Sequence, residues 1–131
     1  MVRSIVSVAL GTISWGILWV ATGEALLAAV PDAFRADGGT ESVGVLLVLL
    51  VMSVVYSVLA GWLTARLAPG DAWPHVYALS ALQLAIGLAV QIGSWALMPA
   101  WFHIPFLALL VPGVLVGGRL RLRGRLAAAT A

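Results

Sequence analysis

Residues 42–67 read SVGVLLVLLVMSVVYSVLAGWLTARL, a run whose single charge, Arg66, stands one residue from its end. A helix needs about 20 apolar residues to cross roughly 30 Å of hydrocarbon, with about 17 as the lower limit. This stretch exceeds that length. Backbone inside a bilayer must satisfy every N–H and C=O internally, so only helices and closed barrels span it. Barrel strands are about 10 residues of alternating polarity. The run is longer and does not alternate, so it reads as a transmembrane helix.

Working outward, three further apolar runs flank it. One covers about 4–30 and stops at Pro31, one covers about 75–98 and stops at Pro99, and one covers about 102–118. The central run itself stops at Pro69-Gly70. The last run is short and holds Pro105 and Pro112. It spans if flanking arginines snorkel or the bilayer thins; a re-entrant segment is the alternative. The chain is 63% hydrophobic and 9% charged, against roughly 45–50% and about 25% in soluble domains. The expected fold is therefore all-α, a bundle of four transmembrane helices in one membrane domain, followed by a basic cytoplasmic tail over 119–131.

Local signals fit these boundaries. Thr40 is placed to cap the second helix after Gly38-Gly39. Asp71 is placed to cap the third, with Pro74 in its first turn, where the missing N–H does no harm. Pro31 to Phe34 is expected to form a short interfacial turn. The first run follows Arg3 but far exceeds the roughly 7–15 residues of a signal-peptide apolar region. No Ala-x-Ala site precedes Pro31, so a retained span is expected.

Arginine placement sets the expected orientation. With four spans, one face holds Arg3, Arg66, Arg119, Arg121, Arg123 and Arg125, and the other holds Arg35 alone beside Asp32, Asp37 and Glu41. The positive-inside rule counts Lys and Arg near span ends and puts both termini in the cytoplasm. Trp62 and Trp73 then fall near the inner interface and Trp95 and Trp101 near the outer one, as an aromatic belt requires. A bacterial inner membrane is the expected location and the bilayer the first partner. A net charge of +2 on so apolar a chain gives no reason to expect nucleic acid.

Polar residues inside the spans fall into stripes. Ser80, Gln83, Gly87, Gln91 and Ser94 share one face of the third helix, and Ser4, Ser7, Gly11 and Ser14 one face of the first. Ser53, Ser57, Gly61 and Ala65 recur every four residues in the second; Gly113 and Gly117 form a Gly-x-x-x-Gly pair in the fourth. Small residues let helices approach, and hydroxyls and amides bond between them. Packing is therefore one reading, with Gly11, Ser53, Ser57, Gly61, Gly87, Gly113 and Gly117 as contact positions. The other is a polar pathway or ligand cavity lined by Gln83 and Gln91.

Glu24 is the one ionisable residue within the apolar runs. An intramembrane carboxylate is a functional candidate by default, here with His103 expected at the same face. Counting about 20 residues from Ser4, however, brings Glu24 to the outer boundary, as a solvated or Arg35-paired acid. The glutamate of small multidrug-resistance transporters, also in a first helix of four, lies well inside the membrane, so that comparison fails.

His75 and His103 fall on opposite faces and cannot share a metal. With no Cys, no His-x-x-x-His and no paired carboxylates inside the spans, neither metal nor cofactor is expected, and nothing supports an enzyme. Cysteine's absence also removes disulfides and thiol chemistry. The basic segment Arg119-Leu120-Arg121-Leu122-Arg123-Gly124-Arg125, with Arg66, fixes topology or meets anionic headgroups, where each Arg is worth about 1 kcal/mol.

Three stretches carry a resemblance: Ala60-Gly61-Trp62-Leu63-Thr64-Ala65-Arg66-Leu67-Ala68-Pro69, Pro99-Ala100-Trp101-Phe102-His103, and Gly117-Gly118-Arg119-Leu120-Arg121. In these the chain resembles a group of small bacterial four-helix membrane proteins, which often have Gly-Gly-Tyr at Ala60-Gly61-Trp62. The resemblance implies fold and compartment but no activity. The function expected is a membrane-embedded accessory or structural protein acting by helix contacts with itself or a partner. The alternative is a subunit of a small oligomeric transporter or channel using the polar face of the third helix.

Overall fold

The computed structural model describes the backbone of residues 1–129 and the side chains of residues 1–124. Four helices run in order: α1 Val2–Ala29, α2 Val43–Leu67, α3 Trp73–Gly93 and α4 Ala100–Ala129. All four are long and apolar enough to cross a membrane. Short links between α2 and α3 and between α3 and α4 force those neighbours to alternate in direction. The first loop bonds to the link between α3 and α4, so both connections lie at one end. The opposite end carries the amino terminus and the link between α2 and α3.

The helix ends differ from the apolar runs in instructive ways. α3 begins at Trp73, with Pro74 in its first turn and Asp71 Oδ1 accepting the Trp73 N–H at 3.1 Å. It ends at Gly93, and Trp95–Leu97 forms a separate 3-10 turn. The run over 75–98 therefore merges two elements. α4 is one helix through Pro105 and Pro112 and continues through the arginines, long and apolar enough to cross without turning back. The apolar run over 102–118 stops short because arginine ends hydrophobicity, not helicity; Arg and Leu are both good helix formers. Neighbouring helices make a proline tolerable in such a segment.

Thr40 does not cap α2, whose first residues follow Ser42 without a side-chain cap bond. Its Oγ1 donates to Ala33 O at 2.7 Å and accepts the Ser42 N–H at 3.1 Å, closing the first loop on itself. Pro31–Ala33 forms a 3-10 turn.

α2 is the axis of the bundle. Ten of its residues are buried, against three of α1, Ser7, Gly11 and Trp15. Its closest seam is with α4. A Cβ at Gly61 would strike the Val114 backbone, one at Gly117 the Val58 carbonyl and Trp62 N, and one at Gly113 the Ser57 side chain. Small residues on both helices thus bring the backbones together, as Gly-x-x-x-Gly contacts do. Gly11 makes the same approach from α1 onto Thr64 and Ala60, and Gly87 from α3 onto Leu110. Phe102, Phe106, Leu46, Leu79 and Leu110 fill the remaining core.

Candidate functional site: a buried polar column

The polar face of α3 turns into the bundle: Ser80, Gln83, Gly87 and Gln91 are all buried. Ser94, at the end of the stripe, is half-exposed and its hydroxyl donates back to Val90 O at 2.7 Å. Most hydroxyls behave this way. Ser7, Ser53 and Ser80 each donate to a carbonyl of their own helix at 2.8–2.9 Å, so they act as small residues, not as bridges. On α1 the buried stripe is Ser7, Gly11 and Trp15. Ser14 is half-exposed and bonds to Leu10 O at 2.6 Å.

Apart from that of Gln91, the interhelical side-chain bonds come from residues outside those stripes. Thr64 Oγ1 donates to Ser7 O at 3.1 Å, and the Thr22 and Tyr56 hydroxyls lie 2.6 Å apart. Trp15 was legible by spacing, four residues past Gly11, whereas Thr64, three past Gly61, falls outside the four-residue repeat of α2. Tyr56 and Thr22 had no such signal.

Gln91 bonds across to α4, with its Oε1 against His103 Nδ1. His103 is fully buried and its ring stacks on Trp95 at 4.4 Å between centroids. His103 Nε2 faces the carbonyls of Met98 at 3.2 Å and Trp95 at 3.3 Å. Carbonyls only accept, so Nε2 carries a hydrogen. A neutral ring then presents a lone pair at Nδ1, which the Gln91 amide NH2 meets once the amide is turned end for end.

Gln83 lies eight residues earlier, about 12 Å along α3. Its side chain is fully buried, and neither Oε1 nor Nε2 has a hydrogen-bond partner. Trp15 Nε1 and Ser57 Oγ are also buried and unbonded. These three lie in the central stretch of α1, α2 and α3, with Ser57 about 4 Å off the level of the other two. Gly11 meets both Thr64 and Leu79, and four residues further along α1 and α3 come Trp15 and Gln83, each rising about 6 Å. Ser57 is seven residues from Thr64 along the antiparallel α2 and packs against Gly113. Unbonded polar atoms from three helices therefore share the middle of the bundle.

Glu24 stands apart. It is exposed on α1, five residues before the helix ends, and makes no ion pair or side-chain hydrogen bond among the described residues. It lines an open groove with Trp19, Leu27, Phe34 and Met98. Glu24 and His103 are not brought together: His103 is engaged with Gln91 and two carbonyls. Arg35 pairs not with Glu24 but with Asp37 and Glu41, each at 3.2 Å. Its Nη2 also donates to Ala96 O at 2.9 Å, and Thr40 N donates to Leu97 O at 2.8 Å. The first loop is thereby strapped over the link between α3 and α4. The Gly39 N–H and then the Arg35 guanidinium hold the Asp37 carboxyl below the usual carboxylate range, and Asp37 raises Arg35 in turn.

At the opposite end, Arg66 lies 5.3 Å from the Trp62 ring centre, Arg119 and Arg123 are exposed, and Arg121 is half-buried. Arg125 lies outside the described side chains. His75 is exposed, with Nδ1 3.1 Å from Asp71 O. No cluster of three or more His, Cys, Asp or Glu side chains occurs among the described residues.

Four apolar membrane-length helices around an internal polar column define a multi-pass α-helical membrane protein. No protein-family model, curated protein or solved structure matches the chain.

Proposed function

We propose that this is a small accessory or structural protein of a bacterial inner membrane, acting through helix–helix contacts with a second copy or a membrane partner. With four spans, both termini are read as cytoplasmic, and six arginines against one at the two ends support that reading. The observation that carries the proposal is the use made of the polar side chains. Gln91 is bonded to His103, and most span serines are bonded to their own helices. The glycine stripes are closed against neighbouring helices, by backbone at Gly61 and Gly117 and by side chains at Gly11, Gly87 and Gly113. That is the construction of a rigid body, not of an aqueous path. The chain has no cysteine, so a single Gln91→Cys variant gives a clean test. In the intact folded protein it should resist water-soluble thiol reagents, whereas rapid labelling would overturn the reading.

A second reading, a subunit of a small oligomeric transporter or channel, is favoured by the unbonded layer of Trp15, Ser57 and Gln83. Polar groups from three helices converge there as they do around a midplane binding site. Gln83→Cys separates the two: labelling at Gln83 with protection at Gln91 would identify a wet central layer.

A further inference from the structure

Trp73, Tyr77 and Arg119 meet at the end of the bundle where α1 begins. A Cβ at Gly118 would touch Val76, so these two residues lie level on α4 and α3. Arg119 therefore stands level with the segment between Trp73 and Tyr77. The two aromatic rings stack at 5.6 Å between centroids, and Tyr77 is 58% exposed. Together with Pro112, Leu115 and Val116 they line a groove of about 280 Å³ between α3 and α4. Pro112 is seven residues before Arg119, about 10 Å deeper along the helix. The groove thus has a cationic, aromatic mouth and an apolar floor running toward the middle of the bundle.

Arg119 makes no ion pair among the described residues. Asp71 is the one acid near this end of the sequence map, and its Oδ1 is taken by the Trp73 N–H. Arg66, by contrast, rests against the Trp62 ring. A guanidinium presents a planar fork that matches phosphate oxygens in pairs, and Trp and Tyr settle at headgroup depth.

We propose that this groove binds one anionic phospholipid, its phosphate on Arg119 between Trp73 and Tyr77 and an acyl chain along Pro112, Leu115 and Val116. The preference for an anionic lipid follows from charge. A zwitterionic headgroup brings its own ammonium into a mouth that already holds an unpaired cation. The site needs only that the helices span a membrane and is independent of the helix-contact role.

Native mass spectrometry of the full chain from detergent micelles tests this, with phosphatidylglycerol, phosphatidylcholine and free glycerol phosphate as probes. One phosphatidylglycerol should be retained in preference to phosphatidylcholine. Arg119→Gln should lower that retention about fivefold, the factor expected for losing one arginine–headgroup attraction. Val116→Trp, which keeps the charge but fills the floor, should lower it comparably, and Arg123→Gln, which does not line the groove, should lower it clearly less. Both groove positions are on the surface, and circular dichroism checks that helicity is kept. Equal retention of phosphatidylcholine, an equal loss in Arg123→Gln, or glycerol phosphate binding as firmly as the lipid would each overturn the proposal.

Discussion

Gln83 and Gln91 lie on one face of α3, yet leucine at the two positions should act in opposite directions. Gln83 is fully buried with both amide atoms unbonded. A buried amide without partners costs roughly 1–3 kcal/mol. Leucine is close in volume and removes that cost, so Gln83→Leu should stabilise by about 1 kcal/mol or more. Gln91→Leu removes the partner of His103 Nδ1 inside the core. Orphaning that nitrogen should destabilise by about 1–3 kcal/mol. The two variants should then differ by roughly 2–4 kcal/mol, more than tenfold in the folded-to-unfolded ratio. Reversible unfolding in mixed micelles of a mild detergent and dodecyl sulfate, followed by circular dichroism, resolves this. The double change Gln91→Leu with His103→Leu should cost less than the sum of the single changes. A loss of about 1 kcal/mol or more in Gln83→Leu would refute the dry-layer argument, because it would mean that the amide has a partner worth keeping.

Three further outcomes are expected. Gly61→Ala and Gly117→Ala place a Cβ under 3.0 Å from α4 and α2 backbone respectively and should each destabilise by about 1–3 kcal/mol, while Gly16→Ala, with open space around it, should stay within about 1 kcal/mol of wild type on the same unfolding assay. The loop brace should be acid-sensitive: because the folded Asp37 carboxyl is held below its ordinary value by Gly39 and Arg35, its contribution is present above the usual carboxylate range and is lost as pH falls through the lowered value. Hydrogen exchange across residues 34–41 should accelerate there, and Asp37→Asn should remove that pH dependence; a wild-type loop insensitive to acid would contradict it. For topology, reporters fused after Ala131 and inserted between Asp32 and Glu41 should lie on opposite sides of the membrane; a common side would mean an even number of spans between the two positions and would exclude the expected three.

The class of fold was readable because it rests on length and apolarity alone. The helix ends were less so, for separable reasons. Proline at 74 starts a helix, whereas prolines at 105 and 112 sit inside one. Sequence shows a missing N–H in each case but not the neighbours that make it harmless. The arginines after Gly118 end the hydropathy signal without ending the helix. Within the spans, periodicity placed Gln83, Gly87 and Gln91 on the buried face, since side chains three and four apart share a side of any helix. It could not supply partners. The pairing of Gln91 with His103 depends on how the link over residues 94–99 folds α4 back against α3, and its 3-10 turn supplies the Trp95 carbonyl and ring that meet the imidazole. Glu24 was placed near an end by counting residues, but its separation from Arg35 follows from the loop strapping that arginine to Asp37, Glu41 and Ala96.

Specific bonds are spread unevenly along the bundle. At the loop end, Arg35 and the Gln91–His103 pair tie loop, α3 and α4 together through charged and amide groups. Toward the termini, Thr64 joins α2 to α1 through Ser7, and Gly117 seats α4 on α2. Between them, Trp15, Ser57 and Gln83 are held by shape alone, with their polar atoms unbonded. A layer of that kind weakens a dry bundle, since each unbonded group costs free energy that an apolar side chain would not. Its polar atoms lower that cost only by meeting something that enters, such as water or a small polar ligand. The layer is therefore where an accessory bundle and a transporting one diverge: the first gains stability when Gln83 becomes leucine, and the second loses its function.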